Sequence, residues 1–172
     1  LYRPSYSRHY NGHHMVRMVP ESQNIYMLTD PTIVLSHVTV FAVVQINNAD
    51  EGLVNEILGS NDLFISIKNN VLHVQVSFSD GSAITVSSQE KVKSGSFVLI
   101  SVALDSNVLH VRLNSNIVGK RQITKHRSNS GQRLVVGRKT YSTTSSGPLN
   151  GDICEVILFD ERLSGETLLK LE

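Results

Sequence analysis

Apolar residues in this chain recur at every second position, in short runs closed by Asn, Asp, Gly and Ser. That pattern restricts most of the chain to antiparallel β structure. Between Val71 and Phe78, the residues Leu72, Val74, Val76 and Phe78 share one face of an extended segment, and His73, Gln75 and Ser77 share the other. Between Val108 and Asn114, Leu109, Val111 and Leu113 oppose His110, Arg112 and Asn114 in the same way. Each such strand has one buried and one wet face, as antiparallel sheets that cover a core on one side require.

The turn chemistry agrees. Asn69-Asn70 separates two such runs, and Asn tolerates the positive φ that a tight hairpin needs. Asp80-Gly81, Ser106-Asn107 and the run from Asn114 to Asn116 supply further turns. The predicted strands are 6–10, 13–18, 25–28, 38–46, 54–58, 63–68, 71–78, 83–87, 96–104, 108–114, 117–124, 133–137 and 152–159. About a dozen short strands with turns roughly every 8–12 residues describe a sandwich or a barrel. Strands 38–46 and 96–104 are nearly continuous apolar runs, which places them centrally with little face left to water. One helix is expected near the C-terminus, capped by Ser164, with Glu166 in its first turn and Leu168, Leu169 and Leu171 on its apolar side. An internal echo links the run from Asn70 to Val76 with the run from Asn107 to Leu113, and reads as two hairpins solving one turn-then-strand problem.

Length and composition limit the rest. A chain of 172 residues is one domain, large enough to bury a core without staples, and its 40% hydrophobic and 18% charged content excludes a disordered polyelectrolyte. Sixteen Lys and Arg against 15 Asp and Glu leave a formal charge of +1, so no global field draws the chain to nucleic acid or membrane. The single cysteine, Cys154, allows neither an internal disulfide nor a Cys-based zinc site. No apolar run approaches the ~20 residues of a bilayer span. A start at Leu1 rather than Met, with no signal-peptide pattern, is expected of residues 1–172 excised from a larger protein.

The C-terminal half carries a resemblance. The strand S-F-V-L-I-S-V-A-L at 96–104, followed by the run 107–120, resembles the central hairpins of laminin-G-like domains of the concanavalin A-like lectin-glucanase superfamily. Leu134-Val135-Val136-Gly137 looks like that family's strand ending in Gly. The run P-L-N-G-D-I-C-E-V-I-L-F-D-E-R-L-S at 148–164 is similar to its closing F-x-G-x-I-x-E-V motif, with apolar residues, Arg and Leu-Ser after it. His9 to Val16 resembles its opening hairpin. The chain departs from the family where Phe97 replaces the usual Trp and where Asn114-Ser115-Asn116 replaces an Asn-Gly turn. The resemblance implies an all-β fold, an antiparallel two-sheet β-sandwich of jelly-roll type with a short C-terminal helix.

Catalytic chemistry finds little footing. Related glucanases carry two glutamates and an aspartate in one E-x-D-x-x-E strand, where acid and nucleophile flank the scissile bond. Here the nearest acids, Asp50-Glu51 and Glu56, are split by an apolar stretch. There is no G-x-S-x-G elbow, H-E-x-x-H pair or Walker loop. Cys154 alternates with an apolar strand and reads as a small hydrophobe. His9, His13 and His14 cluster in the first hairpin, but adjacent strand residues point to opposite faces, leaving only His9 and His13 to meet across Asn11-Gly12. The resemblance allows a Ca²⁺ at the rim, and Asp50, Asp62 and Asp80 are its candidate ligands, with Asn47 and Asn48 beside the first.

A basic stretch is the clearest binding signal. From Ser106 to Gly151 there is no acid, but Arg112, Lys120, Arg121, Lys125, Arg127, Arg133, Arg138 and Lys139 all occur. Adjacent strands at 117–124 and 133–137 would gather several of them into a patch for sulfated glycans or acidic protein surfaces. The same residues could equally be edge charges that block strand pairing. Tyr141, in the long polar loop 138–147, is the stretch's one aromatic, too few for nucleic acid. The candidate ligand-binding residues are therefore Lys120, Arg121, Arg138, Lys139, Tyr141, Asn47, Asn48 and Asp50. The expected function is a non-catalytic, lectin-like binding or adhesion module that recognises a glycan or protein surface in an extracellular, cell-surface or virion-surface assembly. Two alternatives stand beside it: a structural domain of a viral or phage capsid, tail or fibre, and an accessory lectin-like domain of a glycosidase.

Overall fold

The computed structural model describes residues 5–10, 13–18, 27–28, 37–47, 54–105, 107–125, 132–137, 147 and 149–172, with backbone only for 5–10, 13, 27 and 28. Its strands are β1 (Ser5–Tyr10), β2 (His13–Met18), β3 (Met27–Leu28), β4 (Val38–Ile46), β5 (Val54–Gly59), β6 (Leu63–Lys68) and β7 (Val71–Ser77). They continue as β8 (Ala83–Lys91), β9 (Phe97–Leu104), β10 (Val108–Leu113), β11 (Asn116–Gln122), β12 (Val135–Val136) and β13 (Gly151–Phe159), followed by helix α1 (Gly165–Leu171). A seven-stranded sheet runs β1-β2-β13-β4-β9-β10-β11, and a six-stranded sheet runs β3-β12-β5-β6-β7-β8. All pairings are antiparallel, so the expected two-sheet sandwich of jelly-roll type is what forms.

Two tight hairpins fix much of the register. Asn69 and Asn70 both have positive φ (52° and 66°), the two-residue geometry that matches the strand twist between β6 and β7. Asn114 and Ser115 repeat it between β10 and β11, with φ of 48° and 65°. Ser115 thus occupies a conformation that suits glycine, and Arg112 Nη2 donates to its carbonyl oxygen.

The alternation delivers the core. Leu72, Val74 and Val76 of β7 and Leu109, Val111 and Leu113 of β10 all point between the sheets. The sequence echo therefore marks equivalent places: β7 and β10 are each one strand in from an edge, in opposite sheets.

The two apolar runs are central neighbours, β4 and β9. Their inner residues, such as Val40, Val44, Ile100 and Val102, join the main core. Their outer residues, Phe41 and Ala103, pack under Leu163 and Leu168, with Leu99 and Phe159 alongside. A seven-residue helix is marginal alone, so α1 exists because this second apolar layer holds it. Ser164 Oγ caps it by accepting from Thr167 N at 3.1 Å.

Several expectations change. Strand 133–137 shortens to the two-residue β12, while β8 runs on to Lys91; of strand 25–28 the described part, Met27–Leu28, is extended as β3. In the first hairpin His9 pairs with His14 and Tyr10 with His13, because a bulge between Ser7 and His9 shifts the register; His9 does not face His13. Arg112, on the nominally wet face of β10, is buried, since the end of α1 covers it and Glu172 binds it at 2.9 Å. Gly151 opens β13 where any Cβ would fall on the carbonyl oxygen of Gln45. Its neighbour Asp152 is buried and takes a bidentate bond from Arg17 at 2.9 and 3.0 Å.

Candidate functional site

Among the described residues, the basic stretch is divided between the two sheets. β11 is the outer edge of the seven-stranded sheet and β12 lies between β3 and β5 in the other, so their cations belong to different sheets. Arg112 is tied to Glu172, and Lys125 lies 2.8 Å from Asp80. Lys120 and Arg121 remain exposed on β11. Arg138, Lys139, Tyr141, Asn48 and Asp50 lie outside the described residues. On either side of 138–146 the described residues bond to β5: Gly137 N donates to Ile57 O, and Glu56 N donates to Gly147 O. Asn47 is exposed at the end of β4, and its carbonyl accepts from Ser94 Oγ at 2.7 Å.

A different set of cations converges on the outer face of the seven-stranded sheet. A bulge in β11 pairs Val111 with Gly119 and Arg112 with Ile117, which leaves His110 opposite Lys120 and Leu109 opposite Arg121. Cross-strand partners share a face, so Lys120 stands beside His110 on the outside while Arg121 projects from the other side of the edge. Arg162, just after β13, completes the group. Its Nη1 donates to Asp105 Oδ2 at 2.6 Å, and its Nη2 lies 3.3 Å from His110 Nε2.

The scaffold fixes both acidic and basic members. Asp105 Oδ1 accepts from the backbone N–H groups of Asn107 and Val108, each at 2.7 Å, an Asx-type turn closing β9 onto β10. These bonds and the nearby Arg162 hold the Asp105 carboxyl below its usual range despite partial burial. Arg162 is bracketed by its neighbours: the buried Thr39 hydroxyl donates to Glu161 O at 2.8 Å and accepts from Leu163 N at 2.9 Å. His110 is held below the ordinary histidine range, first by burial and then by Arg162 and Lys120, with Asp105 pulling the other way.

The six-stranded sheet presents a polar outer row. Register aligns Glu56, Ser66, His73 and Ser87 across β5 to β8, and His73 Nδ1 lies 2.8 Å from Ser87 Oγ. Within that row Glu56 is completely buried and Ser66 nearly so, while Asp50 and Glu51 lie outside the described residues. Burial, and then Lys68, push the His73 basicity down.

Of the candidate calcium donors, Asp62 and Asp80 fall among the described residues, and both are engaged within the chain. Asp80 Oδ2 carries the Lys125 ammonium, its Oδ1 accepts from the Ser82 N–H and hydroxyl, and these bonds drive its pKa far below the usual carboxylate range. Asp62 Oδ2 accepts from Gln132 Nε2 at 2.6 Å. Among the described residues no three His, Cys, Asp or Glu side chains are placed to hold a metal ion.

His110 and Arg162 escaped the sequence reading. The signal for His110 was its outward position on an alternating strand; nothing local marks Arg162, which reaches the site only through the sandwich.

The two antiparallel sheets and their strand order define a β-sandwich domain of jelly-roll type. No protein-family model matches the sequence, and no curated protein matches it. Solved structures do match in shape. The heptameric SAP-like pentraxin from Limulus polyphemus is 14% identical with a TM-score of 0.67, over 83% of this chain and 73% of that one. The CBM40 of Ruminococcus gnavus IT-sialidase, bound to α2,3-sialyllactose, is 13% identical with a TM-score of 0.69, over 80% and 83%. The botulinum neurotoxin serotype G binding domain is 12% identical with a TM-score of 0.71, over 92% of this chain but 42% of its own length. At these identities the likeness is one of fold.

Proposed function

We propose that this domain is a non-catalytic recognition module that binds acidic glycans through the cationic group of His110, Lys120 and Arg162. The observation that carries the reading is the convergence of these side chains from three separate segments on one exposed sheet face, in a chain with almost no net charge. Arg162 is held rigidly by Asp105 and the Thr39 bracket and still has N–H groups to offer, which suits a planar carboxylate or a sulfate. The fold's neighbours include a module bound to sialyllactose and a toxin binding domain, and that company supports a binding role over a catalytic one. The laminin-G-like motifs of the sequence, and a place in a larger extracellular or surface assembly, fit the same reading. Arg138, Lys139 and Tyr141 stay among the proposed ligand contacts of the module.

A glycan array that includes sulfated and sialylated ligands, run with Ca²⁺ and with EDTA, tests this. The expected result is salt-sensitive binding that survives EDTA and weakens in Lys120→Ala and Arg162→Ala. Binding lost in EDTA would move the site to a calcium rim instead.

A second reading has its own observation. Ile117 is 67% exposed, and Leu169 and Leu171 of α1 are 59% and 52% exposed, apolar surface of the kind a self-assembling particle domain uses. An empty array together with concentration-dependent light scattering would favour that structural role.

A further inference from the structure

We propose that the anion site of His110, Lys120 and Arg162 is proton-linked: a sulfate or carboxylate group binds there together with a proton taken up by His110. The inference rests on the reading of this surface as an anion site and adds its regulation.

The geometry sets up the linkage. A guanidinium only donates, so the 3.3 Å approach of Arg162 Nη2 makes His110 Nε2 an acceptor, with the imidazole neutral and its proton on Nδ1. Protonation places an N–H on Nε2 and turns this contact into donor against donor. Lys120 stands directly across the strand pair on the same face, so the new charge also meets an ammonium. An oxyanion between Nε2, Lys120 and the free N–H groups of Arg162 accepts from all three and removes the conflict.

The remaining neighbours do not supply that acceptor. Asp105, from the β9–β10 turn, already receives Asn107 N, Val108 N and Arg162 Nη1. On the β9 side the partner of His110 is the apolar Ala103. Along β10 the next outward residue is Arg112, whose charge is held by Glu172. The free site thus offers the protonated ring no vacant acceptor, and burial first, then the Arg162 and Lys120 charges, depress the basicity of His110. By linkage, a ligand that favours the protonated ring must bind more tightly as pH falls, until the free protein is itself protonated.

The test uses inorganic sulfate, which keeps its charge across this range as phosphate does not, and a sulfated disaccharide. Ring-proton NMR follows His110 while calorimetry measures affinity. We expect sulfate to raise the His110 midpoint by about one unit, and so about ten-fold tighter binding near pH ~5 than near pH ~7.5. His110→Gln should bind with an affinity flat across the same range, and His73→Gln, on the other sheet, should keep the wild-type slope. Flat binding by the wild-type chain, or an unchanged slope in His110→Gln, overturns the linkage and leaves the anion site standing. No binding of either probe at any pH overturns both.

Discussion

Replacing Thr39 by Val removes one hydroxyl and almost no volume, yet that hydroxyl joins the centre of the seven-stranded sheet to the segment carrying Arg162. It donates to Glu161 O and accepts from Leu163 N, on either side of Arg162. The Leu163 N–H is buried, so leaving it unsatisfied costs about 1–3 kcal/mol. The Glu161 carbonyl belongs to an exposed residue and recovers water, so its loss adds about 0.5–1 kcal/mol. The expected destabilisation is roughly 1.5–4 kcal/mol, measured as a shift in denaturant midpoint at constant slope. Thr39→Ser keeps the hydroxyl and loses only a methyl, about 1 kcal/mol. The same Thr39→Val protein should bind sulfated glycans more weakly, because Arg162 loses its bracket. A Val variant within about 0.5 kcal/mol of wild type, or equal in stability to the Ser variant, would show that the hydroxyl does not hold the Arg162 segment.

Ser115 holds a glycine-like φ of 65°, so Ser115→Gly should raise stability by about 0.5–1 kcal/mol in the same denaturation assay. Arg112 and Glu172 form a pair whose side chains are 9% and 1% exposed; Arg112→Met strands a buried carboxylate and should cost about 3–5 kcal/mol, with much of that recovered in the Arg112→Met, Glu172→Gln double variant. His73 and His110 are both less basic folded than unfolded, so the unfolded chain binds more protons. Their contribution is therefore complete above the ordinary histidine pKa of about 6.5 and is lost as pH falls below it, and each His→Gln variant should flatten that acid limb of the stability curve.

Most of the fold was legible because period-two alternation and Asn-rich turns are local signals. The central place of β4 and β9 was visible in their unbroken apolar runs, although the reason for them, a second apolar layer under Leu163 and Leu168, is a tertiary one. The site was harder. From a two-residue turn at Asn114-Ser115, an unbroken ladder places Lys120 opposite Leu109 and facing inward. The bulge beside Gly119 shifts the pairing by one, so Lys120 meets His110 instead and Arg121 takes the other side. The bulge is supported from the opposite sheet, where Val86 of β8 fills the space a side chain at Gly119 would need. A contact between sheets has no signature in the local sequence. Arg112 was misplaced for a similar reason: its outward position is wet only until α1 closes over it.

That one-residue shift also gives the most direct test of the account. Affinity for a sulfated oligosaccharide should be measured for Lys120→Ala, Arg162→Ala and Arg121→Ala under identical salt. The account predicts a loss of about ten-fold or more for Lys120→Ala and for Arg162→Ala, and about two-fold for Arg121→Ala, whose charge contributes only through the general field. Equal losses at Lys120 and Arg121, with Arg162→Ala unchanged, would contradict it and return the surface to a row of edge-guarding charges.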